Sequence, residues 1–215
     1  MTNIKTNPDS HEHWLQLRAK DVTSSEVAAL FGLSPYLTEF ELWHRKRDGL
    51  IVELAENDRL KWGNRLESAI ALGIADDMGW EVAPMKHYDT LPDLRMGSSF
   101  DFEILSPEAG ILEIKNVDAL QFKEKWDTSD EINEAPPHIE LQVQHQLAVS
   151  GHRLAYIGAL IGGNTVHLIK RERNEKIINA IKKKVAAFWE SIDRGEPPRS
   201  EEHTSELHHR IRSRM

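Results

Sequence analysis

The stretch AGILEIKN, residues 109–116, is the part of the sequence on which the predicted fold depends most. Its three large apolar residues, with a glycine before them, are typical of a buried β-strand. Glu113 and Lys115 interrupt the apolar pattern two residues apart. Because successive side chains of a strand point to opposite faces, this carboxylate and this ammonium group are predicted to share one face. We expect that face to point outward, away from the core.

The segment before this strand supplies a second carboxylate on another predicted strand. Asp101 lies in SSFDFEI, residues 98–104, and the turn SPEAG, residues 106–110, follows it. The proline and glycine of that turn are typical of a β-hairpin, which would let Asp101 meet Glu113 across the strand pair. Two carboxylates can bind a hard cation such as Mg²⁺, and an adjacent lysine can stabilise developing negative charge. Exposed strand residues or a cross-strand salt bridge would also explain these residues, so both interpretations stay open at this point.

Composition limits the classes of protein to which the chain can belong. At 215 residues it is long enough for one domain with a substantial core. The absence of cysteine excludes disulfides, thiolate zinc sites and iron–sulfur clusters. A net charge of −8 argues against a protein that coats nucleic acid non-specifically, but it is compatible with a nuclease. Without an apolar signal region or a membrane-length apolar run, we expect a cytoplasmic protein with no membrane contact.

Hydrophobic periodicity and turn residues predict a mixture of helices and strands. Four strands are predicted in two hairpins, over residues 95–105, 110–117, 153–163 and 165–173. Helices are predicted over residues 11–19, 22–32, 38–49, 57–80, 119–126, 136–151 and 174–195. This order predicts an α/β or α+β domain with a central mixed β-sheet flanked by helices.

Four blocks of the sequence, in order, resemble one family of nucleases. They are WLQLRAKDVTSSEVAALFGLSPY (14–36), WGNRLESAIA (62–71), MGSSFDFEI with GILEIKN (96–104 and 110–116) and IELQVQHQLAVSG (139–151). Together they are similar to the lambda exonuclease and YqaJ-type viral recombinase family of the PD-(D/E)XK nuclease superfamily. The resemblance covers about residues 14–195. It implies a restriction-endonuclease-like core in a single nuclease domain, which we place at residues 1–198.

The resemblance implies a metal centre on the predicted hairpin. Asp101 and Glu113 match the family's metal ligands, with the carbonyl of Ile114 as a third contact, and Lys115 matches the catalytic lysine. The implied cofactor is Mg²⁺, with Mn²⁺ as a substitute.

Two further catalytic residues are implied on helices. Glu67 matches the family's helical glutamate near the metal, although its position alone would also suit a surface residue. Gln142 matches the glutamine of the later helix, and Gln144 or Gln146 would take its place if the register differs.

Three residues match positions that hold the 5′-terminal phosphate in the exonuclease: Arg18, Ser25 and Ser99. A guanidinium group binds phosphate in a bidentate manner, and hydroxyl groups complete an anion site. Ser25 also lies where a helix is predicted to begin, so helix capping is its alternative role.

The family therefore implies a Mg²⁺-dependent 5′→3′ exonuclease that acts on double-stranded DNA ends in phage-type recombination. Such an enzyme leaves a 3′ overhang for a single-strand annealing protein, and the family suggests a homo-oligomer, a ring-shaped trimer. The expected setting is the cytoplasm of a bacterial host of a phage or prophage. The alternatives are a structure-specific or endonucleolytic PD-(D/E)XK nuclease and a non-catalytic DNA-end-binding module. The intact triad of Asp101, Glu113 and Lys115 argues against the binding module.

Other conspicuous residues are interpreted as structural. The motif HEH (11–13) and the run KKK (182–184) are expected to be solvated, and Trp62, Trp80 and Trp189 are expected to pack against the core.

The last residues, 199–215, lack apolar periodicity, and RSEEHTSEL (199–207) looks like the translation of a common sequencing adapter. We interpret this tail as a sequencing artefact, with a genuine disordered terminus as the alternative.

Overall fold

The computed structural model describes residues 2–51, 57–129 and 133–199. Residues 200–215 of the suspected artefact tail lie outside these ranges, so that interpretation stays a prediction, as do the domain limits. In the described ranges, no helix is long and apolar enough to cross a membrane.

The described residues form nine strands in two sheets. In chain order these are β1 (Ile4–Thr6), β2 (Val22–Thr23), β3 (Glu81–Pro84), β4 (Tyr88–Leu91), β5 (Met96–Ser98), β6 (Phe102–Ser106), β7 (Gly110–Val117), β8 (Leu154–Ile161) and β9 (Thr165–Glu172). The larger sheet has the order β3-β6-β7-β8-β9, with β7 and β8 parallel and its other neighbours antiparallel. The smaller sheet has the order β1-β4-β5-β2. The prediction of a mixed sheet is therefore confirmed, and the second sheet is an addition to it.

Six α-helices surround the sheets in the described part of the chain. They are α1 (His11–Lys20), α2 (Glu39–Arg47), α3 (Asp58–Met78), α4 (Ala119–Lys125), α5 (Pro137–Ser150) and α6 (Glu175–Arg194). Each coincides closely with a predicted helix.

The helix predicted over residues 22–32 is wrong in its first half. Val22 and Thr23 pair in parallel with Met96 and Gly97, so they are extended and belong to the smaller sheet. Only Val27–Phe31 is helical, as a short 3-10 helix. It ends at Gly32, where φ is 65°, a conformation that glycine adopts without steric cost.

The strand predicted over residues 95–105 is interrupted, and the interruption positions the site. Strand β5 pairs within the smaller sheet, and β6 pairs within the larger one. Residues 99–101 link the two sheets. Asp101 ends this link: its Oδ2 accepts a hydrogen bond of 2.7 Å from the backbone N–H of Ile114 on β7. The Asp101 carboxylate thus accepts the hydrogen bond that a backbone carbonyl would accept from Ile114 if the strand continued.

Helices cover both faces of β7. On one face, Ile70 and Ile74 of α3 pack against Leu112 and Ile114. On the other face, α5 packs against Ile111 and the neighbouring strand β8. Full burial of a side chain of this size contributes about 1.5–3 kcal/mol. This packing fixes β7 at the centre of the molecule.

The expectation that Glu113 and Lys115 point outward is wrong, because α5 covers their face. Glu113 is only 2% exposed. The Lys115 side chain is 25% exposed. Helix α5 meets these charges with glutamine side chains instead of apolar ones, so the charges are buried among polar groups.

Helix α6 packs the amino-terminal segment onto the rest of the fold. Its predicted apolar stripe is confirmed: Ile178, Ile181, Val185 and Phe188 are all buried. They lie in one cluster with residues of α2 and of the 3-10 helix. The loop between α1 and the 3-10 helix is thereby held in place.

Of the three tryptophans that were expected to pack, two are packed and one is exposed. Trp80 lies 4.6 Å from the ring of Tyr156, and Trp189 is buried, with Arg95 stacked over its ring. Trp62 is 52% exposed and contacts Arg65 near the start of α3, so the packing prediction is wrong for this residue.

Candidate functional site

The β6–β7 hairpin brings two carboxylates and an ammonium group together. Phe102 is paired with Leu112, which puts Asp101 directly opposite Glu113 by the antiparallel register. Lys115 follows Glu113 on the same face, and its Nζ donates to Glu113 Oε1 over 2.6 Å. The structure therefore brings together the three residues that the sequence predicts to converge.

Helix α5 holds Glu113 through two glutamines that lie one turn apart. Gln142 Nε2 donates to Glu113 Oε1, and Gln146 Nε2 donates to Glu113 Oε2, each over 2.6 Å. Gln142 Oε1 also lies 3.3 Å from Lys115 Nζ and accepts a hydrogen bond from it. Each oxygen of the buried carboxylate therefore has a fixed amide donor.

The structure separates the three glutamines that the sequence left open as alternatives. Gln142 and Gln146 are four residues apart and share a helix face, whereas Gln144 points elsewhere. Gln144 bonds the backbone of Glu172 and Asn174 instead, and so fastens α5 to the end of β9. Gln146 thus joins Gln142 in the candidate site, and its four-residue spacing from Gln142 is the signal in the sequence.

Excess negative charge defines the electrostatics of this centre. The pKa of Asp101 is raised well above its usual value, first by burial and then by Glu113, with Lys115 only partly offsetting both. Burial alone would lower the pKa of Lys115, but Glu113 and Asp101 outweigh it and raise that pKa. Lys115 is consequently held protonated beside the two carboxylates.

Glu67 lies near the same centre, on helix α3. Residues 67, 70 and 74 share one face of the helix by their spacing, and Ile70 and Ile74 of that set pack against the sheet. The pKa of Glu67 is raised by its partial burial and then by Glu113, while Lys115 lowers it. Glu67 is therefore close enough to interact electrostatically with the hairpin charges from the opposite side of β7.

The donors at this centre fit a hard divalent cation. Asp101 and Glu113 offer carboxylate oxygens across one strand pair. The N–H and C=O of one strand residue point to the same side, so the carbonyl of Ile114 points toward Asp101, as its N–H does. In the described ranges, no group of three or more His, Cys, Asp and Glu side chains could hold a metal ion. A cation here would thus be held by two carboxylates, a carbonyl and water, a set typical of Mg²⁺.

A second group of polar residues lies where β5 gives way to the link. Arg18 Nη2 donates to Ser25 Oγ over 3.1 Å. Trp14, one turn earlier on α1, stacks 4.5 Å from the Arg18 guanidinium. The Trp14 indole N–H donates to Ser99 Oγ over 2.8 Å. Trp14 therefore connects all three residues predicted to bind a 5′-phosphate, and no pattern in the sequence indicates this role.

A buried ion pair supports this group from beneath. Lys46 Nζ lies 2.9 Å from Glu26 Oε2 and donates to the carbonyl of Arg18 over 2.8 Å. Glu26 also accepts hydrogen bonds from the backbone N–H and the hydroxyl of Thr23. Ser25 bonds Arg18 and Thr23 and caps no helix, so its alternative role as a cap is wrong.

A buried histidine secures the smaller sheet against α5. His145 is fully buried, and its Nε2 lies 3.2 Å from the carbonyl of Gly97. The pKa of His145 is lowered to about 4, mainly by burial. Gly97 also faces Tyr88 and Asp21, and a Cβ at this position would lie 1.9 Å from the tyrosine hydroxyl. Only glycine fits there, because Tyr88 donates to the buried carboxylate of Asp21 through the same space.

The family model for YqaJ-like viral recombinase domains matches residues 13–153 of the chain. The chain belongs to this family. A YqaJ relative, the uncharacterized protein YqaJ of Bacillus subtilis (strain 168), is 31% identical over 187 residues, which are 86% of this chain. The match spans 57% of that relative, so the chain corresponds to little more than half of its length.

Solved structures share the fold of this YqaJ-family chain. The alkaline exonuclease LHK-Exo of Laribacter hongkongensis superposes with a TM-score of 0.68 at 19% identity, over 93% of this chain and 99% of that one. A complex of LHK-Exo with dAMP gives 0.65 at the same identity and coverage. A phage-related exonuclease of Haemophilus somnus 129PT gives 0.56 at 12% identity, over 81% and 94% of the two chains. The predicted fold class is confirmed.

Proposed function

We propose that this chain is a Mg²⁺-dependent deoxyribonuclease, a 5′→3′ exonuclease that acts on double-stranded DNA ends in phage-type recombination. The main support is that Asp101 faces Glu113 across the hairpin and that Lys115 bonds to Glu113. Arg18, Ser25, Ser99 and the Trp14 that connects them, here called the Arg18 group, lie close by, since Ser99 precedes Asp101 by two residues. Membership of the recombinase family and the exonuclease names of the structural relatives support a nuclease.

In this proposal, Asp101, Glu113 and the Ile114 carbonyl hold the cation, with Mn²⁺ as a substitute for Mg²⁺. When bound, such a cation lowers the pKa of water and stabilises negative charge on a phosphodiester. Lys115 keeps its proton, because its pKa is raised, so it acts as a hydrogen-bond donor and not as a base. It positions water and stabilises charge that develops on the scissile phosphate.

The helical residues act as positioning groups. Gln142 and Gln146 fix both oxygens of Glu113, and Gln142 also orients Lys115. Glu67 adds negative charge on the α3 side of the strand. These contacts leave the carboxylates little freedom to turn away when the substrate enters, so less reorganisation is needed at the moment of reaction.

The substrate end is assigned to the Arg18 group. A 5′-terminal phosphate would accept from the Arg18 guanidinium and from the hydroxyls of Ser25 and Ser99, which the Trp14 contacts hold in place. The complex of LHK-Exo with dAMP supports recognition of a nucleotide in this fold. Family resemblance further supports a single-strand annealing protein as partner, a trimeric ring, and action in the cytoplasm of a phage or prophage host.

Digestion of linear duplex DNA, with or without a 5′-phosphate, tests the proposal. We expect degradation in Mg²⁺ or Mn²⁺, none in EDTA, and faster degradation of the phosphorylated ends. Asp101→Asn and Lys115→Met should each lower the rate by more than about a hundredfold. Metal-independent degradation, or full activity of Asp101→Asn, would refute the proposal.

Covalently closed circular DNA serves as the matched substrate without ends. Nicking of the circle at a rate comparable with digestion of linear DNA would replace the exonuclease with an endonuclease. Tight binding of DNA ends by a chain that cleaves neither substrate would favour an end-binding module instead.

A further inference from the structure

Tyr36 is held outside the core by a well-defined loop. Its side chain is 79% exposed, although the residues on either side of the loop are fixed. The preceding 3-10 helix ends at Gly32, and a capping box at Thr38 starts α2. The backbone N–H of Tyr36 also donates to the Ser34 hydroxyl over 3.2 Å. A large ring is therefore presented to solvent from a loop of restricted conformation.

The same ring lies beside the candidate catalytic centre. Tyr36 meets His138 edge-on, with ring centroids 5.9 Å apart and an interplanar angle of 84°. His138 precedes Gln142 and Gln146 by one and two helical turns, so all three share the face of α5 that covers Glu113. Tyr36 and His138 thus lie at the solvent-exposed end of the row that Gln142 and Gln146 form on α5.

Electrostatic contacts also place the pair close to Lys115. The pKa of His138 is lowered first by burial and then by the charges of Lys115 and Lys125. The pKa of Lys115, set by burial and the two carboxylates, is raised further by Tyr36. The Lys115 side chain is 25% exposed, whereas that of Glu113 is 3% exposed, so the centre opens to solvent on the side of Lys115.

We propose that Tyr36 contacts the substrate directly, by stacking its ring on a nucleobase next to the phosphate that is cut. The perpendicular contact with His138 supports the ring and leaves at least one of its faces available for the base. Every base has an aromatic face, so stacking is independent of sequence, as an enzyme that degrades DNA of any sequence requires. This inference rests on the proposed nuclease function and adds a contact to the substrate strand that the metal centre and the Arg18 group do not supply.

Two substitutions separate the ring from its hydroxyl group. Tyr36→Phe keeps the ring, and we expect its kcat and KM on 5′-phosphorylated duplex to stay within about twofold of the unaltered chain. Tyr36→Leu removes the ring, and we expect KM to rise about tenfold with little change in kcat. Leu72→Ala, a change at another highly exposed apolar side chain, is the matched control and should leave both constants unchanged.

Binding without cleavage gives a second readout. Duplex DNA with 2-aminopurine at its 5′-terminal nucleotides is titrated with each variant in EDTA, and the fluorescence reports stacking of the base. We expect the same change with the unaltered chain and Tyr36→Phe, and its loss with Tyr36→Leu. Because the ring is exposed, all variants should unfold at the same temperature.

The outcomes distinguish failure of this inference from failure of the proposed function. If Tyr36→Leu matches the unaltered chain in KM and in fluorescence while that chain degrades DNA, the stacking inference is wrong and the nuclease stands. If Tyr36→Phe is as impaired as Tyr36→Leu, the hydroxyl is the contact and stacking is also refuted. If the unaltered chain stacks the base in EDTA but never degrades DNA, the stacking contact is confirmed and the proposed nuclease function is wrong.

Discussion

Gln146 donates its side-chain amide to Glu113 over 2.6 Å, from a helix that buries the carboxylate almost completely. Gln142 bonds the other oxygen from one turn earlier, so the orientation of the carboxylate is set by α5 and not by the strand that carries it. The carboxylate that we propose as a cation ligand is thereby fixed from a second element of the fold.

Gln146→Leu should damage both stability and activity. Loss of the donor leaves one oxygen of a buried carboxylate without a partner, at a cost of about 1–3 kcal/mol in the free energy of unfolding. The carboxylate is then free to turn, so the Mg²⁺ concentration for half-maximal nuclease activity should rise. Urea unfolding and a Mg²⁺ titration measure the two effects. Gln121→Leu, on α4, is the matched control, since the described contacts of Gln121 are made by its backbone. Equal Mg²⁺ requirements for the two variants would contradict the positioning role.

Asp101→Asn should stabilise the metal-free chain while it abolishes nuclease activity. The folded-state pKa of Asp101 is raised, mainly by burial and Glu113, so folding favours the protonated carboxyl. That stability is fully present below the unfolded value near 3.8 and is lost as the pH rises through the folded pKa. Asparagine carries no such penalty. In EDTA at neutral pH, Asp101→Asn should therefore melt at a higher temperature than the unaltered chain.

The same pair of proteins tests the metal centre by calorimetry. Mg²⁺ should raise the melting temperature of the unaltered chain, because it binds only the folded state, and should leave Asp101→Asn unchanged. An equal rise for both proteins would mean that the cation binds elsewhere.

Trp14→Phe and Trp14→Leu should weaken the preference for a 5′-phosphate. Phenylalanine keeps the stack on Arg18 but loses the hydrogen bond to Ser99, and leucine loses both contacts. We expect the ratio of rates on phosphorylated and unphosphorylated ends to fall by about fivefold for Phe and further for Leu, for the loss of a hydrogen bond worth about 1 kcal/mol. Rates on ends without phosphate serve as the internal control. A proportional fall on both kinds of end would indicate a general loss of folding.

The free energy of unfolding should decrease in acid because of His145. Its folded-state pKa, about 4, lies below the ordinary 6.5, so the neutral imidazole is favoured in the fold. The stability is fully present above pH 6.5 and is lost as the pH falls to about 4. The loss over that interval is about 3 kcal/mol. Urea unfolding across this pH range measures it.

His145→Gln provides the control for that measurement. Glutamine can keep an amide donor toward the Gly97 carbonyl but does not titrate, so its stability should depend less steeply on pH between 6.5 and 4. Parallel pH curves for the two proteins would show that another group causes the acid sensitivity.

Local patterns were sufficient for the hairpin. A turn containing proline and glycine predicts a hairpin in which Asp101 can meet Glu113, and the register of the structure puts the two residues opposite each other. The long helices followed in the same way from their periodicity and caps. These features depend on residues that are near one another along the chain.

The sequence did not predict features that depend on distant partners. Glu113 is buried because α5 crosses its face with Gln142 and Gln146, and no local pattern shows which helix will cover a strand. The smaller sheet was missed because its strands have only two to four residues, too few for an alternating pattern. The interruption at residues 99–101 was hidden by apolar residues on both sides. Trp62 is exposed although a large aromatic side chain is expected to pack against the core.

The link of residues 99–101 has a consequence for the size of the product. Ser99 belongs to the Arg18 group, which we propose binds the 5′-phosphate, and Asp101 belongs to the proposed metal centre. Only one residue separates them along the chain. Their Cα atoms can be at most about 7 Å apart, even in a fully extended chain. On the proposed function, the backbone itself acts as a ruler between the strand end and the bond that is cut. The short main-chain connection would then help to set the length of the released fragment, because it keeps the two contacts from moving far apart.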